Sequence, residues 1–467
     1  MRLAEVAEII GSNLSPLLAD VVPSGYKIDS RQISGGELFF AIRGQRLDGH
    51  AFVAEALERG AIAAVVEKAC VNVPLEKQLI VQDTLGALQS LASAVIRRWG
   101  KPVVGITGSA GKTTTKELVA LVLAARGQVL KSTGNLNNAY GLPLSILAME
   151  SSGSKPQDYF VAVLEMGMSS YGEIRRLCEI APPTVAGVLN VGTAHIEFFG
   201  SQDAIAVAKA EIVQGIRSGG TALLNADDPR VAAMASLRPD VRSVFFGIES
   251  ENPEVRAVDI VDKGVLGSRF KLLLPSSEAV VELKLAGRQL IYNALFAAAA
   301  GYVFGMLADE IAARLELALP ISRRGQLIRL SCGAMVVDDS YNSSPDALEQ
   351  AVSALAATPG FSRRIVVAGE MLELGEASLQ LHRRCGQKIV DLGIDLLVGV
   401  QGNAYEMVKA AQELGLETKF FSSSSEAAEK LPSLLTSGDL ILVKGSRGVR
   451  TELIVDALKD GFGVEVS

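Results

Sequence analysis

The pattern of apolar and polar positions changes character twice along the 467 residues. Residues 1 to 83 hold short strand-like runs, GELFFAI, AIAAVVE and QLIVQ, separated by turns and by one helical stretch, HAFVAEALERGA. That pattern predicts a small α/β module. TLGALQSLASAVIRRWG then has helical apolar spacing and stops at Gly100 ahead of Pro102, as a connecting helix would. From Pro102 the order becomes strand, glycine loop, helix: PVVGIT, GSAGK, TTTKELVALVLAARG. The near-continuous apolar runs in DYFVAVLEMG, TVAGVLNVG and GGTALLNADD predict further strands of a parallel sheet covered on both faces. The following segment, VRAVDIVDKGVLGSRFKLLLPSSEAVVELKLAG, alternates and predicts antiparallel strands before a helix at YNALFAAAAGYVF.

Beyond Pro320 four strand-like runs, AMVVDDS, RRIVVAGE, IDLLVGV and DLILVKG, alternate with helical stretches. This is a Rossmann-like succession, yet no G-x-G-x-x-G follows its first strand, so the dinucleotide fingerprint is missing. The fold class is therefore α/β in three domains. A small N-terminal α/β module spans 1–83, a central parallel-sheet domain with a phosphate loop spans 84–319, and a Rossmann-like C-terminal domain spans 320–467. A chain of 49.2 kDa exceeds what one growing core accommodates, in keeping with that division.

Composition narrows the function. Hydrophobic residues make up 49% and charged residues 21%, far from the composition of disordered chains. A net charge of -7 gives no basic surface for nucleic acid, so an anionic substrate must be met by local cations. Cys70, Cys178, Cys332 and Cys385 form no C-x-x-C pair and read as free thiols in a reducing compartment. No signal peptide precedes the first module, and no apolar run reaches the ~18 residues of a membrane span. The expectation is a cytoplasmic protein without a membrane partner.

The chemistry starts at G-I-T-G-S-A-G-K-T-T-T from Gly105. Closely spaced glycines between a strand and a helix let backbone N–H groups converge on phosphate. Gly108, Ser109, Ala110 and Gly111 supply that loop, Lys112 reaches the β- and γ-phosphates, Thr113 offers a hydroxyl to Mg²⁺, and Thr114 follows. The strict G-x-x-x-x-G-K-[ST] spacing is missed, because its first glycine falls at Ile106. Glu165 ends one apolar strand and His195 follows another; residues at such strand ends face the ligand crevice of an open α/β sheet. A carboxylate there suits Mg²⁺, whereas position alone leaves His195 open between a metal contact and a structural role. With only three histidines, His50, His195 and His382, a three-histidine zinc site is not expected.

These pieces together resemble the Mur ligase family. The loop, the run T-G-N-L-N-N-A-Y-G-L-P-L from Thr133, E-M-G at Glu165, N-V-G-T-A-H-I-E-F-F-G from Asn190 and A-K-A-E-I at Lys209 follow one another in family order. D-D-S-Y-N-S-S-P from Asp338, G-E-M-L-E-L-G from Gly369, V-K-G-S-R-G from Val443 and the N-terminal D-S-R with I-R-G-x-R-x-D-G-H-x-F resemble its D-alanyl-D-alanine-adding branch. The resemblance implies an ATP-dependent amide ligase that acts on UDP-MurNAc-tripeptide and D-alanyl-D-alanine through an acyl phosphate, as a monomer with two Mg²⁺. It implies catalytic roles for Lys112, His195 and Lys209, the last as a carbamate, and metal ligation by Thr113, Glu165, His195 and carbamylated Lys209. Asn293, Arg324, Asp339 and Asn342 match nucleotide contacts. The segment before Asn293 reads Gly287-Arg288-Gln289-Leu290 where the family pattern is G-x-H-N.

The same resemblance implies that Ser30, Arg31, Arg43, Asp48, Gly49 and His50 bind the UDP-sugar. Asn135, Asn137, Asn138 and Lys444 match residues beside the peptide substrates. Read without the resemblance, these are loop residues and solvated charges. A sister ligase adding one amino acid, a folylpolyglutamate synthase and a non-catalytic nucleotide switch stay as alternatives at this point.

Overall fold

The computed structural model describes residues 1–44, 47–134, 136–151, 153–193, 196–320 and 322–465. The chain divides into two compact units. One comprises Met1–Gly192, Asp203–Phe245 and Ala299–Phe304; the other comprises Thr193–Gln202, Phe246–Ala298 and Gly305–Ser467.

The first unit begins with a four-stranded parallel sheet in the order Tyr26–Lys27, Leu38–Phe40, Ala63–Val66, Gln78–Ile80. Phe39, Ala64 and Val66 on one face pack against Val53 and Ala56 of the helix Val53–Glu58. Two residues are too few to show alternation, which is why the first of these strands has no sequence signal. The connecting helix Thr84–Trp99 starts at Asp83, whose side chain accepts from Leu85 N, and stops at left-handed Gly100, which donates to Ile96 O. Thr84 Oγ1 donates to Ala41 O, joining this helix to the module.

The parallel sheet of the same unit has the order Thr221–Asn225, Val185–Val188, Val103–Thr107, Tyr159–Glu165, Gln128–Lys131. Every residue of Val103–Thr107 and Val185–Val188 is buried, as the unbroken apolar runs predicted. From Val103–Thr107 the chain first builds the strands on one side and later those on the other. Its carboxyl end therefore lies at a topological switch point, where open α/β sheets bind ligands.

In the second unit, Val255–Asp262, Ser268–Leu274 and Ser277–Leu283 pair antiparallel, as the alternating segment predicted. The turn at Gly264–Leu266 buries Val265 in one cluster with Leu348, Val352 and Leu355. A six-stranded sheet follows, in the order Gln326–Arg329, Met335–Asp339, Asp439–Lys444, Arg363–Gly369, Leu396–Val400, Glu417–Phe421. The first pair is antiparallel and the rest are parallel. The four predicted strands are its interior; the two unpredicted ones are its half-exposed edges. Among the described residues no helix is long and apolar enough to cross a membrane.

Candidate active site

At the switch point the loop Gly108–Gly111 leads from Val103–Thr107 into the helix Lys112–Leu123, with Gly111 in the left-handed region at φ 83°. Asn190 clamps this loop: its Oδ1 accepts from Ala110 N at 2.9 Å, its Nδ2 donates to Ala110 O, and its carbonyl accepts from Ser109 N. Ser109 Oγ accepts from Gly192 N at 2.9 Å. With the loop held from one side, Lys112 folds over it and donates to Gly108 O at 2.8 Å.

At the second residue of the helix, Thr113 Oγ1 donates to Glu165 Oε2 at 3.0 Å. Glu165 is 2% exposed, and Asn137 Nδ2 donates to its other oxygen at 2.8 Å. Asn137 is fixed in turn because its carbonyl accepts from Gly167 N. Asn138 acts differently: its Oδ1 accepts from Gly141 N at the start of the helix Gly141–Leu147. Thr113, Glu165 and Asn137 thus meet, whereas Asn138 supports the chain behind them. Thr114 sits in the first turn of the helix.

Lys209 is 2% exposed on the helix Gln202–Gln214. Burial, and after it the positive charge of Lys112, holds its amine well below the ordinary lysine value. Glu211, two residues on, accepts from Gly172 N and Arg175 N and so caps the helix Glu173–Ile180. His195 and Asn135 lie outside the described residues.

In the N-terminal module, Arg43, Asp48 and His50 converge with Glu67. His50 Nδ1 lies 2.6 Å from Asp48 Oδ1, and its Nε2 accepts from Glu67 N at 2.8 Å. Arg43 reaches Glu67 at 3.2 Å and Asp48 at 3.6 Å. The amide of His50, then its ring, keeps the Asp48 carboxyl below the usual carboxylate range. Gly49 packs so closely that a Cβ would stand 2.7 Å from the backbone of Ala41 and Ile42. Ser30 is buried and donates to Glu55, and exposed Arg31 pairs with Asp29; among the described residues no bond joins either to the His50 network.

In the second unit, Asp339 and Lys444 are register partners on adjacent strands. Lys444 Nζ donates to Asp339 Oδ2 at 2.6 Å and to Asn342 O at 3.0 Å, which brings three predicted residues together and satisfies the lysine internally. The guanidinium of Arg324 stacks 4.1 Å from the Tyr341 ring centroid. Arg323 instead has φ 62° and pairs with Glu452, so the two neighbouring arginines are separated in role. Asn293, in the helix Arg288–Val303, is fully buried with neither amide atom bonded among the described residues. An unpaired buried amide is costly, and a group hydrogen-bonding it would remove that cost.

Sequence reasoning assigned no role to Asn190, Glu211 or Lys116. All three stand inside the motifs or beside them; for Asn190 and Glu211 the signal was a polar residue within an otherwise apolar run, whereas Lys116 stands in the polar stretch T-T-T-K-E and gave none. His382 is likewise structural: it accepts from Met371 N at Nε2 and donates from Nδ1 to Ser378 O. All four cysteines are free, and burial pushes the Cys178 and Cys385 thiols up to about 12.

Comparison with known proteins adds relatives along the whole length. Residues 23–95 match the profile of the Mur ligase family, catalytic domain; 106–301 match the Mur ligase middle domain; 323–447 match the Mur ligase, glutamate ligase domain. The chain is similar to the UDP-N-acetylmuramoyl-tripeptide--D-alanyl-D-alanine ligase of Bacillus subtilis, 34% identical over 97% of both chains. A crystal structure of MurF from Acinetobacter baumannii superposes with TM-score 0.88 at 30% identity, covering 97% of this chain and 98% of that one. MurF from Thermotoga maritima, solved in complex with ADP, gives TM-score 0.81 at 30% identity over 94% and 98%.

Proposed function

The chain belongs to the Mur ligase family, and from that premise we propose that it joins D-alanyl-D-alanine to UDP-MurNAc-tripeptide at the expense of ATP, in peptidoglycan precursor synthesis. The observation that carries this is near-full-length similarity to ligases of that activity, together with the phosphate loop and the contacts of Thr113 and Asn137 with buried Glu165. In the reaction an oxygen of the tripeptide's terminal carboxylate attacks the γ-phosphorus of ATP and ADP leaves. The dipeptide amine then attacks the acyl carbon, phosphate departs, and the nitrogen loses a proton. Such chemistry is accelerated by positioning and by cations at the transferring group. Gly108–Gly111 and Lys112 are the groups we assign to the phosphates.

Magnesium suits the donors present, because Thr113 and Glu165 offer hydroxyl and carboxylate oxygens. When bound it neutralises charge on the phosphates. We assign His195 to the same ion set, and Lys209 as a carbamate. A carbamate forms when a neutral amine attacks CO₂ and loses a proton; the lowered proton affinity of Lys209 supports that assignment. Asn293, Arg324, Asp339 and Asn342 are assigned to the nucleotide, and Ser30, Arg31, Arg43, Asp48, Gly49 and His50 to the UDP-sugar. Asn135, Asn137, Asn138 and Lys444 are assigned to the peptide side, with Asn137 acting through Glu165 and Lys444 through Asp339. The domain limits 1–83, 84–319 and 320–467 and a cytoplasmic location belong to the same proposal.

The test is ADP release measured with each substrate omitted in turn. Release should require both UDP-MurNAc-tripeptide and D-alanyl-D-alanine. Turnover with a single amino acid in place of the dipeptide would move the chain to a sister ligase, and nucleotide binding without turnover would make it a switch. Normal turnover by Lys209→Ala would remove the carbamate.

A further inference from the structure

Lys116 stands one turn beyond Lys112 on the helix that follows the phosphate loop, and it is fully buried. A buried ammonium needs acceptors on all sides. Here they are Ser132 O at 2.7 Å, Gly134 O at 3.0 Å and Glu117 Oε1 at 3.2 Å. Glu117 also binds Lys131, at the end of the strand Gln128–Lys131. The ammonium therefore grips the turn that leaves this strand and leads into the asparagine run.

That turn carries one of the bonds that aim Glu165, and the run it leads into carries another. Ser132 Oγ accepts from Glu165 N at 3.0 Å, and Asn137, three residues past Gly134, donates to Glu165 Oε1 at 2.8 Å. The far end of the run is pinned separately, where Gln89 Nε2 donates to Ala139 O at 2.9 Å and Gln89 Oε1 accepts from Arg176. We infer that Lys116 is a positioning residue for the reaction: by holding the 132–134 turn it sets where the Glu165 carboxylate points, without touching substrate itself. This rests on the reading of Glu165 as the metal-binding carboxylate. Its chemistry is that of a bound cation replaced by a side chain, with carbonyl oxygens gathered around a fixed positive charge.

Two variants test it, Lys116→Met and Ser132→Ala, each in the full chain. The first readout is Mn²⁺ binding in the presence of ADP, followed by electron paramagnetic resonance. The second is amide exchange over 132–139 and 163–167 in the metal-free protein. Both variants should weaken Mn²⁺ binding about tenfold and speed exchange in those two segments, with exchange elsewhere unchanged, and the double variant should be little worse than either alone. Unaltered Mn²⁺ binding in Ser132→Ala, or faster exchange spread over the whole chain in Lys116→Met, overturns the proposal. If Lys116→Met does not fold, Ser132→Ala decides alone. Failure of the underlying reading is seen separately, as Glu165→Gln protein that binds Mn²⁺ as tightly as the parent.

Discussion

At the scale of single residues, the site is built from side chains whose partners are already assigned before any substrate arrives. Glu165 has one oxygen held by Thr113 and the other by Asn137, so Glu165→Gln preserves shape and Asn137's acceptor but removes the charge. Loss of one preorganised electrostatic group typically costs about 10²–10³ in kcat. A fall of that size in ADP release, with little change in KM for the dipeptide, is the expected outcome. His382 carries a pH prediction. Burial lowers its proton affinity below the ordinary histidine value, outweighing the Ser378 carbonyl and the charge of Glu370. The folded protein therefore binds fewer protons at this ring than the unfolded chain does below about pH 6.5. Its contribution to stability is complete above that pH and is lost as pH falls toward the folded value, since a proton on Nε2 would face the Met371 N–H. Urea unfolding at pH 7.5 and pH 5.5 should show a smaller acid loss in His382→Gln than in the parent. Glu165 was legible in the sequence because a lone acid ending an apolar strand stands out. Asn190 stood out only as a polar residue in an apolar run, and Lys116 not at all, because the backbone they hold, Ala110 for the first and Ser132 and Gly134 for the second, belongs to other segments.

At the scale of elements, what the sequence made visible follows burial. Strands buried on both faces, such as Val103–Thr107 and Leu396–Val400, announce themselves as unbroken apolar runs. Gln128–Lys131, Gln326–Arg329 and Glu417–Phe421 lie at sheet edges, where one side needs no apolar residue, and so they escape the pattern. The turn at Gly264–Leu266 was hidden for another reason: its importance comes from the helix Pro345–Ala357, about 90 residues away. Gly264 has φ 65°, and a Cβ there would stand 2.1 Å from Thr358 Oγ1 and 2.7 Å from Ala354 O. Thr358 cannot swing aside without giving up its bonds to Val265 N and Ala354 O. Backbone strain and overpacking together should make Gly264→Ala destabilising by about 3 kcal/mol or more, measured by urea unfolding of the second unit.

At the scale of the molecule, two compact units within one chain argue against a single cooperative unfolding event. The metal-free, nucleotide-free protein should unfold in two calorimetric steps, assigned to the units by hydrogen exchange. The phosphate loop, Thr113 and Glu165 all belong to the first unit. ADP with Mg²⁺ at a hundred times its dissociation constant stabilises the state that binds it by about 2.7 kcal/mol. The step belonging to the first unit should therefore move upward. The Mg²⁺-dependent part of that movement should vanish in Glu165→Gln, where the carboxylate is gone, and persist in Gly264→Ala, whose own step alone should fall. A single transition in every variant, shifted equally by all three changes, would show instead that the chain unfolds as one body and that the two units are not separate in energy.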